Sequence, residues 1–304
     1  MNAGPFSSEA FRRNVAILLR LHHAWGDKPT ADALREELDA AWEALSEEEE
    51  VQVRGLSSDL NWVRRGPAPR GPKVEDVRQE ELVCFRTVAR EGELGSEELR
   101  LMRRCLPRLP ASMVAYRRGR IWAAQGYPAL AHVFFEHATA LDPDDEGYVF
   151  LTLDALAQTD RPRALDVARQ AIRSPRDARL GEVVRSIPLL FVEVERGAGA
   201  SSLVGELIDA SEEVVTRLLG HLGTKATDLQ MASWLATICL VGGLCRLQRG
   251  EVEETRRLFK LGHECGGGPN LQLIEALLVW DLTPADGVRS LGMVQERLDI
   301  SWAA

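Results

Sequence analysis

The sequence predicts an all-α protein, and three observations lead to this prediction. Apolar residues recur at the three- and four-residue intervals of an amphipathic helix along most of the 304-residue chain. No segment alternates polar and apolar residues over the length of a strand with the β-branched residues that strands favour. Apolar residues also make up 45% of the chain, which is typical of a folded protein rather than a disordered one.

Three amphipathic helices are predicted within residues 1–65. The third opens at Ser46, and Glu49 stands three residues later, which is the spacing of a capping box. The acidic run Glu47–Glu50 therefore lies in a first helical turn, where the helix dipole favours negative charge, and capping explains this run without a binding role. The predicted buried stripe of the first helix comprises Phe11, Val15, Leu18, His22 and Trp25.

The clearest break in the chain is the stretch RRGPAPRGPK at residues 64–73. It contains three prolines and two glycines in ten residues, a composition that cannot form a helix and predicts an exposed linker. We therefore divide the chain into an N-terminal helical segment over residues 1–65, a linker over residues 66–73 and a helical domain over residues 74–304.

Residues 115–143 carry the most informative spacing in this helical domain. Gly119 allows the first of two helices to approach the second closely, and Gly126 ends the first helix. Pro128 suits the first turn of the second helix, and Pro143 stops that helix. The predicted buried stripe of the second helix comprises Ala131, Phe135 and Ala138.

The same spacing returns further along the chain. Gly243 and Gly250 are seven residues apart, as Gly119 and Gly126 are, and Phe259 stands nine residues past the second glycine. We therefore expect a second hairpin of the same kind. In this copy Thr255 and Gly262 replace the two alanines. A looser copy over residues 146–175 keeps three alanines without the aromatic residue, namely Ala164, Ala168 and Ala171.

The segment 115–143 resembles a tetratricopeptide repeat. The signature of that family is a small residue, a large aromatic residue (here Trp122), a glycine turn, an Ala–aromatic–Ala run and a proline. The resemblance implies a solenoid of stacked helical hairpins with a concave groove lined by the first helix of each repeat. It also implies a non-enzymatic scaffold or adaptor that binds a partner protein or peptide in this groove.

The chain is acidic overall but contains one basic stretch. The net charge of −9 gives the chain no general attraction for nucleic acid or anionic membranes. Residues 99–135, however, contain seven arginines and no acidic residue, which leaves −16 on the remainder. Two interpretations stay open: these arginines form ion pairs with neighbouring acidic helices, or they bind an acidic partner.

The family resemblance places several of these residues at the groove. Met113, Tyr116, Arg117 and Arg120 occupy or flank groove-facing positions, and Arg103 and Arg104 of the same stretch complete the candidate partner-binding set. An aromatic ring with two guanidinium groups suits a peptide bearing Asp, Glu or a terminal carboxylate, because arginine binds carboxylates bidentately. The equivalent positions in the later copy predict an apolar stretch of groove: Thr237, Leu240 and Leu244.

A nucleic-acid-binding helical repeat protein is the alternative function. In that case the arginine-rich stretch 99–135 would contact phosphates, and Tyr116 or Trp122 would stack on bases. Trp122 holds the large aromatic position of the repeat, which indicates a core residue instead.

Known catalytic and metal-binding motifs are not found in the sequence. The segment CGGGPN lacks the lysine of a phosphate-binding loop, and adjacent His22 and His23 point in different directions from a helix. We therefore expect no enzyme, cofactor or metal site. The five cysteines form no C-x-x-C pair, which favours reduced thiols in a cytoplasm. The 33 arginines against 4 lysines are typical of a GC-rich bacterial genome. The uncharged run Leu229–Cys245 is too short to span a bilayer and predicts a buried core helix, so we expect no membrane association.

Overall fold

The computed structural model describes residues 8–65, 110–195, 200–222 and 228–279. These residues form twelve helices and no strand, which confirms the all-α prediction. The chain divides into two compact units, Met1–Thr159 and Asp160–Ala304. The predicted linker at residues 66–73 lies outside the described residues, and so do Arg103 and Arg104.

The first unit contains six of the described helices. They are α1 (Glu9–His23), α2 (Lys28–Trp42), α3 (Glu47–Arg64), α4 (Ala111–Ala124), α5 (Pro128–Leu141) and α6 (Glu146–Thr159). Helix α1 packs against α2 and α3, and α5 packs against both α4 and α6.

The second unit contains the other six. They are α7 (Arg161–Arg173), α8 (Leu180–Glu195), α9 (Ala200–His221), α10 (Asp228–Gln248), α11 (Val252–Cys265) and α12 (Leu271–Val279). Each helix in this unit packs against the next one along the chain, and α10 also contacts α8 and α12.

Side chains cap the N-termini of α1 and α3, and the capping box of α3 is the one that the sequence predicts. Ser46 and Glu49 form a complete capping box, in which the Ser46 N–H donates to the Glu49 carboxylate over 2.9 Å. Ser8 caps α1 by accepting from the Phe11 N–H over 2.9 Å. The Ser8 hydroxyl also donates to Glu49, and this bond together with the Ser46 bonds lowers the pKa of the Glu49 carboxyl. Glu49 therefore forms hydrogen bonds with the capping serines of both α1 and α3.

The N-terminal helices share one hydrophobic core with the hairpin formed by α4 and α5. Phe11 of α1 and Leu56 of α3 are fully buried in the same cluster as Trp122 of α4 and Phe134 of α5. The Tyr127 ring joins the two parts, since its centroid lies 6.2 Å from that of Phe11 and 5.6 Å from that of Trp122. The N-terminal segment therefore packs directly on the hairpin.

The hairpin of α4 and α5 has the close contact that its spacing predicts. A Cβ atom added at Gly119 would lie only 2.4 Å from the Phe135 ring, so the ring occupies the space that a side chain would need. Gly126 has φ +80°, in the left-handed region that glycine tolerates, and it reverses the chain between the helices. Ala131 and Ala138 are fully buried.

The hairpin of α10 and α11 repeats this geometry in the second unit. A Cβ atom added at Gly243 would lie 2.4 Å from the Phe259 ring, and Gly250 has φ +78°. Thr255, which replaces the first alanine, is fully buried and donates its hydroxyl to the Gly243 carbonyl over 3.1 Å. The repeat in the sequence is therefore also a repeat in the structure.

Helix α10 contains the predicted core segment. Among the described helices, it is the one whose length and composition would allow it to cross a membrane. However, 72% of its most apolar 18-residue window is buried inside the protein. This burial is typical of the core helix of a folded unit.

The predicted buried stripe of the first helix is wrong at its end. Helix α1 stops at His23, and the chain turns at Gly26, which has φ +103°. Trp25 therefore leaves the helical periodicity, and 57% of its surface is exposed.

Replacing Gly119 with alanine tests the close approach in the first hairpin. We expect Gly119→Ala to lower the free energy of unfolding by about 1–3 kcal/mol, because the new methyl group overlaps the buried Phe135 ring. Chemical denaturation measures the change. Gly220→Ala in α9 is the matched control, because open space surrounds Gly220 and alanine there favours the helix by about 0.5–1 kcal/mol. Equal effects of the two substitutions would contradict the predicted overlap.

Candidate functional site

Helix α4 carries the described members of the predicted partner-binding set. Arg120 is exposed, whereas Met113, Tyr116 and Arg117 are half-buried. Met113 and Tyr116 also pack against the core of the first unit. Three polar side chains from adjacent turns of one helix thus reach solvent together, and we call Tyr116, Arg117 and Arg120 the α4 surface.

An aromatic pair forms the base of the α4 surface. The Tyr116 ring lies 5.3 Å from the Tyr148 ring of α6 and 6.3 Å from the Phe135 ring, measured between centroids. The side chain of Ser112 is hydrogen-bonded to Tyr148, and burial raises the pKa of the Tyr148 phenol, which therefore stays protonated. The pair connects α4 to α6 and restricts the orientation of the Tyr116 ring.

Two guanidinium groups lie beside this aromatic pair. Arg120 Nη1 donates a long hydrogen bond of 3.4 Å to the Tyr116 hydroxyl. The Arg117 guanidinium carbon lies 5.9 Å from the centroid of the Tyr116 ring, within the range of a cation–π interaction. The α4 surface thus presents two cations around one partly exposed aromatic ring.

The acidic turn DPDDE at residues 142–146 caps α6. The Asp145 carboxylate accepts hydrogen bonds from the Gly147 N–H over 2.8 Å and from the Tyr148 N–H over 3.2 Å. Burial raises the pKa of Asp145. The role of the Asp145 carboxylate is therefore to accept hydrogen bonds from the backbone N–H groups at the start of α6.

One arginine of the same helix points inward and has a structural role. Arg118 Nη2 lies 3.1 Å from Asp59 Oδ1 of α3, and both side chains are almost fully buried. The Arg118 guanidinium carbon also lies 4.9 Å from the Trp62 ring centroid. Arg118 is therefore a buried ion-pair partner, as the first interpretation of the arginine-rich stretch expects, whereas Arg117 is half-buried and Arg120 is exposed.

His137 of α5 completes the buried cluster around Arg118. Its ring meets the Trp62 ring edge to face, with 4.6 Å between centroids and 83° between planes. Burial lowers the pKa of His137 to about 4, and the positive charge of Arg118 and the neighbouring His22 act in the same direction. The imidazole is therefore neutral at physiological pH. Polar and aromatic contacts thus join α3 to the hairpin, and the residues that make them are Arg118, Asp59, Trp62 and His137.

Several positions expected at the binding groove are not accessible. Thr237, Leu240 and Leu244 are all buried, because α10 contacts four other helices of its unit. The predicted apolar stretch of groove in the later copy is therefore wrong. Trp122 is fully buried, as its position in the repeat indicates, so its ring is not available to stack on a base.

Asp59 is not among the residues predicted from the sequence, although a signal for its burial exists. Asp59 lies three residues after Leu56 and four before Val63, so it falls on the apolar stripe of α3. An acidic residue at such a position indicates a buried carboxylate that needs a cation. The apolar stripe of α3 does not indicate which cation this is, because its partner Arg118 belongs to another helix.

No cluster of metal-binding side chains occurs in the part of the chain that the structure describes. His132 Nε2 lies 3.1 Å from Glu136, and His263 Nε2 lies 3.3 Å from Glu275.

Comparison with models of protein families, with curated proteins and with solved structures gives no match for this chain.

The buried ion pair gives a stability prediction. We expect Arg118→Met to lower the free energy of unfolding by about 3–5 kcal/mol, because it removes the guanidinium that faces the buried Asp59 carboxylate. The double variant Arg118→Met/Asp59→Leu should recover most of this loss, because two apolar side chains then replace both charges. Denaturant titration of the two variants and the wild type measures the difference. A double variant less stable than Arg118→Met would contradict this account.

His137 gives a prediction for the pH dependence of stability. Its pKa is about 4 in the folded protein and about 6.5 in the unfolded chain, so the unfolded chain binds more protons between these values. Stability therefore falls as the pH falls from 6.5 to 4, and His137 accounts for up to about 3 kcal/mol of this fall.

The variant His137→Phe isolates this contribution. It keeps a ring against Trp62 and removes the titrating group, so its pH profile of unfolding free energy should be flatter between pH 6.5 and 4. His221→Phe, at an exposed position on α9, is the control. Parallel profiles for His137→Phe and the wild type would refute the assignment.

Proposed function

We propose that this protein is a non-enzymatic protein–protein adaptor with a tetratricopeptide-like architecture. The observation that carries the proposal is the α4 surface, where two guanidinium groups lie beside one restrained, partly exposed aromatic ring. The recurrence of the glycine–phenylalanine hairpin in both units supports the repeat architecture. In repeat proteins of this kind, stacked hairpins form a solenoid with an extended binding surface.

The chemistry of the α4 surface favours an acidic partner segment. Arg117 and Arg120 can each donate two parallel hydrogen bonds to a carboxylate of Asp, Glu or a chain terminus. Tyr116 offers an apolar face to the adjoining side chain of the peptide, and the contact with Tyr148 limits the ordering cost of binding. We therefore propose a partner protein or peptide that presents carboxylates next to an apolar residue.

Nucleic-acid binding through residues 99–135 receives less support. Two residues that would contribute to it, Arg118 and Trp122, are buried, and Tyr116 is then the remaining described candidate for base stacking. RNA binding that falls steeply with salt would favour this function over peptide binding.

We also propose a cytoplasmic location in a bacterium. Cys239 and Cys245 are buried free thiols and Cys265 is an exposed free thiol, which supports a reducing compartment. The strong preference for arginine over lysine supports the bacterial origin.

Charge reversal at the α4 surface tests the proposed function. We expect Arg117→Glu/Arg120→Glu to abolish binding of the partner recovered from the host, because carboxylates then face carboxylates. Biolayer interferometry with the purified partner measures binding, and circular dichroism measures helicity and melting. The matched control is Arg163→Glu/Arg169→Glu on α7, which changes the net charge equally at exposed positions of the other unit.

The same experiment separates the competing functions. Loss of partner binding with an unchanged melting temperature supports the peptide surface. A variant that melts early and still binds its partner refutes it and assigns Arg117 and Arg120 to stability. A variant that loses RNA binding and retains partner binding supports the nucleic-acid function instead.

A further inference from the structure

A second candidate site lies among the first three helices. A cleft of about 460 Å³ opens between α1, α2 and α3, on helices other than the one that carries the α4 surface. This volume is within the range of small-molecule sites, roughly 300–1,000 Å³. The lining residues that matter for its chemistry are Trp25, Arg35, Arg54, Ser57, Ser58 and Arg64.

The cleft gathers positive charge. Arg35 comes from α2, and Arg54 and Arg64 come from α3, whereas none of the lining residues is acidic. Burial and the nearby charges of Arg35 and Arg65 lower the pKa of Arg64, so these guanidinium groups are close enough to repel one another. An anion bound in the cleft would relieve this repulsion.

The existing ion pairs of the cleft arginines leave them available to a ligand. Arg35 pairs with Asp32 and Arg54 pairs with Glu50, each on its own helix and largely exposed. Exposed pairs of this kind contribute little to stability, so a ligand anion can compete with them. Arg64 instead donates to the side-chain oxygen Oδ1 of Asn61.

Hydrogen-bond donors outnumber acceptors in the cleft. Ser57 and Ser58 add two exposed hydroxyl groups to the three guanidinium groups. Because Oδ1 of the Asn61 side chain accepts from Arg64, the two N–H groups of the same side-chain amide remain as further donors. Phosphate oxygens are acceptors for many donors at once and match this arrangement better than a cation or a neutral amide would.

Trp25 adds an aromatic wall to the cleft. The Arg64 guanidinium carbon lies 3.3 Å from the ring centroid and covers one face of the indole, yet 57% of the residue is exposed. Below it, Leu18 and Leu60 give the cleft an apolar floor. An exposed tryptophan fixed by a cation presents its remaining surface for stacking of a planar ring.

We infer that this cleft binds a small ligand that combines a phosphate group with a planar ring, such as a nucleoside monophosphate. The phosphate contacts Arg35 and Arg54, and the ring lies against Trp25. This site is independent of the α4 surface, so either proposal can fail without the other.

Isothermal titration calorimetry with three probes tests the inference. We expect adenosine 5′-monophosphate to bind at least about tenfold more tightly than adenosine, which lacks the phosphate, or inorganic phosphate, which lacks the ring. If phosphate alone binds as tightly as the monophosphate, Trp25 takes no part and the inference is wrong. Failure of the monophosphate to bind, or equal binding of adenosine, also overturns it.

Variants locate the binding in the cleft. Arg35→Gln/Arg54→Gln should weaken adenosine 5′-monophosphate binding about tenfold or more, because it removes two charged donors. Arg169→Gln/Arg257→Gln is the matched control, since it removes two exposed arginines of the second unit that also pair with acidic residues on their own helices. Equal weakening by both double variants would indicate only a general charge effect and would overturn the inference.

Trp25→Ala provides an independent test that leaves the charge unchanged. We expect it to reduce the preference for the monophosphate over inorganic phosphate about tenfold, because the stacking surface is lost. An unchanged preference would place the ring elsewhere and overturn the inference. Circular dichroism melts show whether each variant retains the wild-type fold.

Discussion

The close contact between a glycine and a phenylalanine ring determines how the helices pack in both units. At Gly119 and Gly243 the missing side chain leaves a space that the rings of Phe135 and Phe259 fill. Helix separation depends on the side chains at the contact, so this pairing sets the spacing of each hairpin. In the first hairpin it also fixes which faces of α4 are covered. The α4 surface depends on this constraint, because Tyr116 touches the same Phe135 ring.

Helix α4 shows how three neighbouring arginines acquire different roles. Successive residues of a helix point about 100° apart, so Arg117 and Arg118 cannot face the same surroundings. Arg118 points towards α3 and forms a buried ion pair with Asp59, whereas Arg120 is exposed beside Tyr116. The arginine-rich stretch therefore includes one arginine, Arg118, with a buried structural role. The junction between α3 and the hairpin contains this buried pair and the edge-to-face contact of Trp62 with His137. These contacts add geometric specificity to the apolar packing.

The sequence predicts the features of this structure that depend on local spacing. The capping box at Ser46 and the turn at Gly250 arise from residues close together in the chain, and both predictions are confirmed. Contacts between distant residues could not be predicted in this way. Asp59 and Arg118 are brought together by the packing of α3 on the hairpin, which no local pattern encodes. The cleft among α1, α2 and α3 is a further example, because its charges come from two helices and its tryptophan from the turn after a third. The burial of Leu240 depends likewise on helices that are distant in sequence.

The shared core of the first unit has a consequence for synthesis on the ribosome. Phe11 and Leu56 belong to helices that are complete once Arg64 has been added, but the core that buries them also needs α5. At 5–20 residues per second, the chain between Arg64 and Ala138 takes about 4–15 s to make. During that interval the nascent N-terminal helices lack the residues of α4 and α5 that share their core. The chain therefore passes through a stage in which it is vulnerable to aggregation.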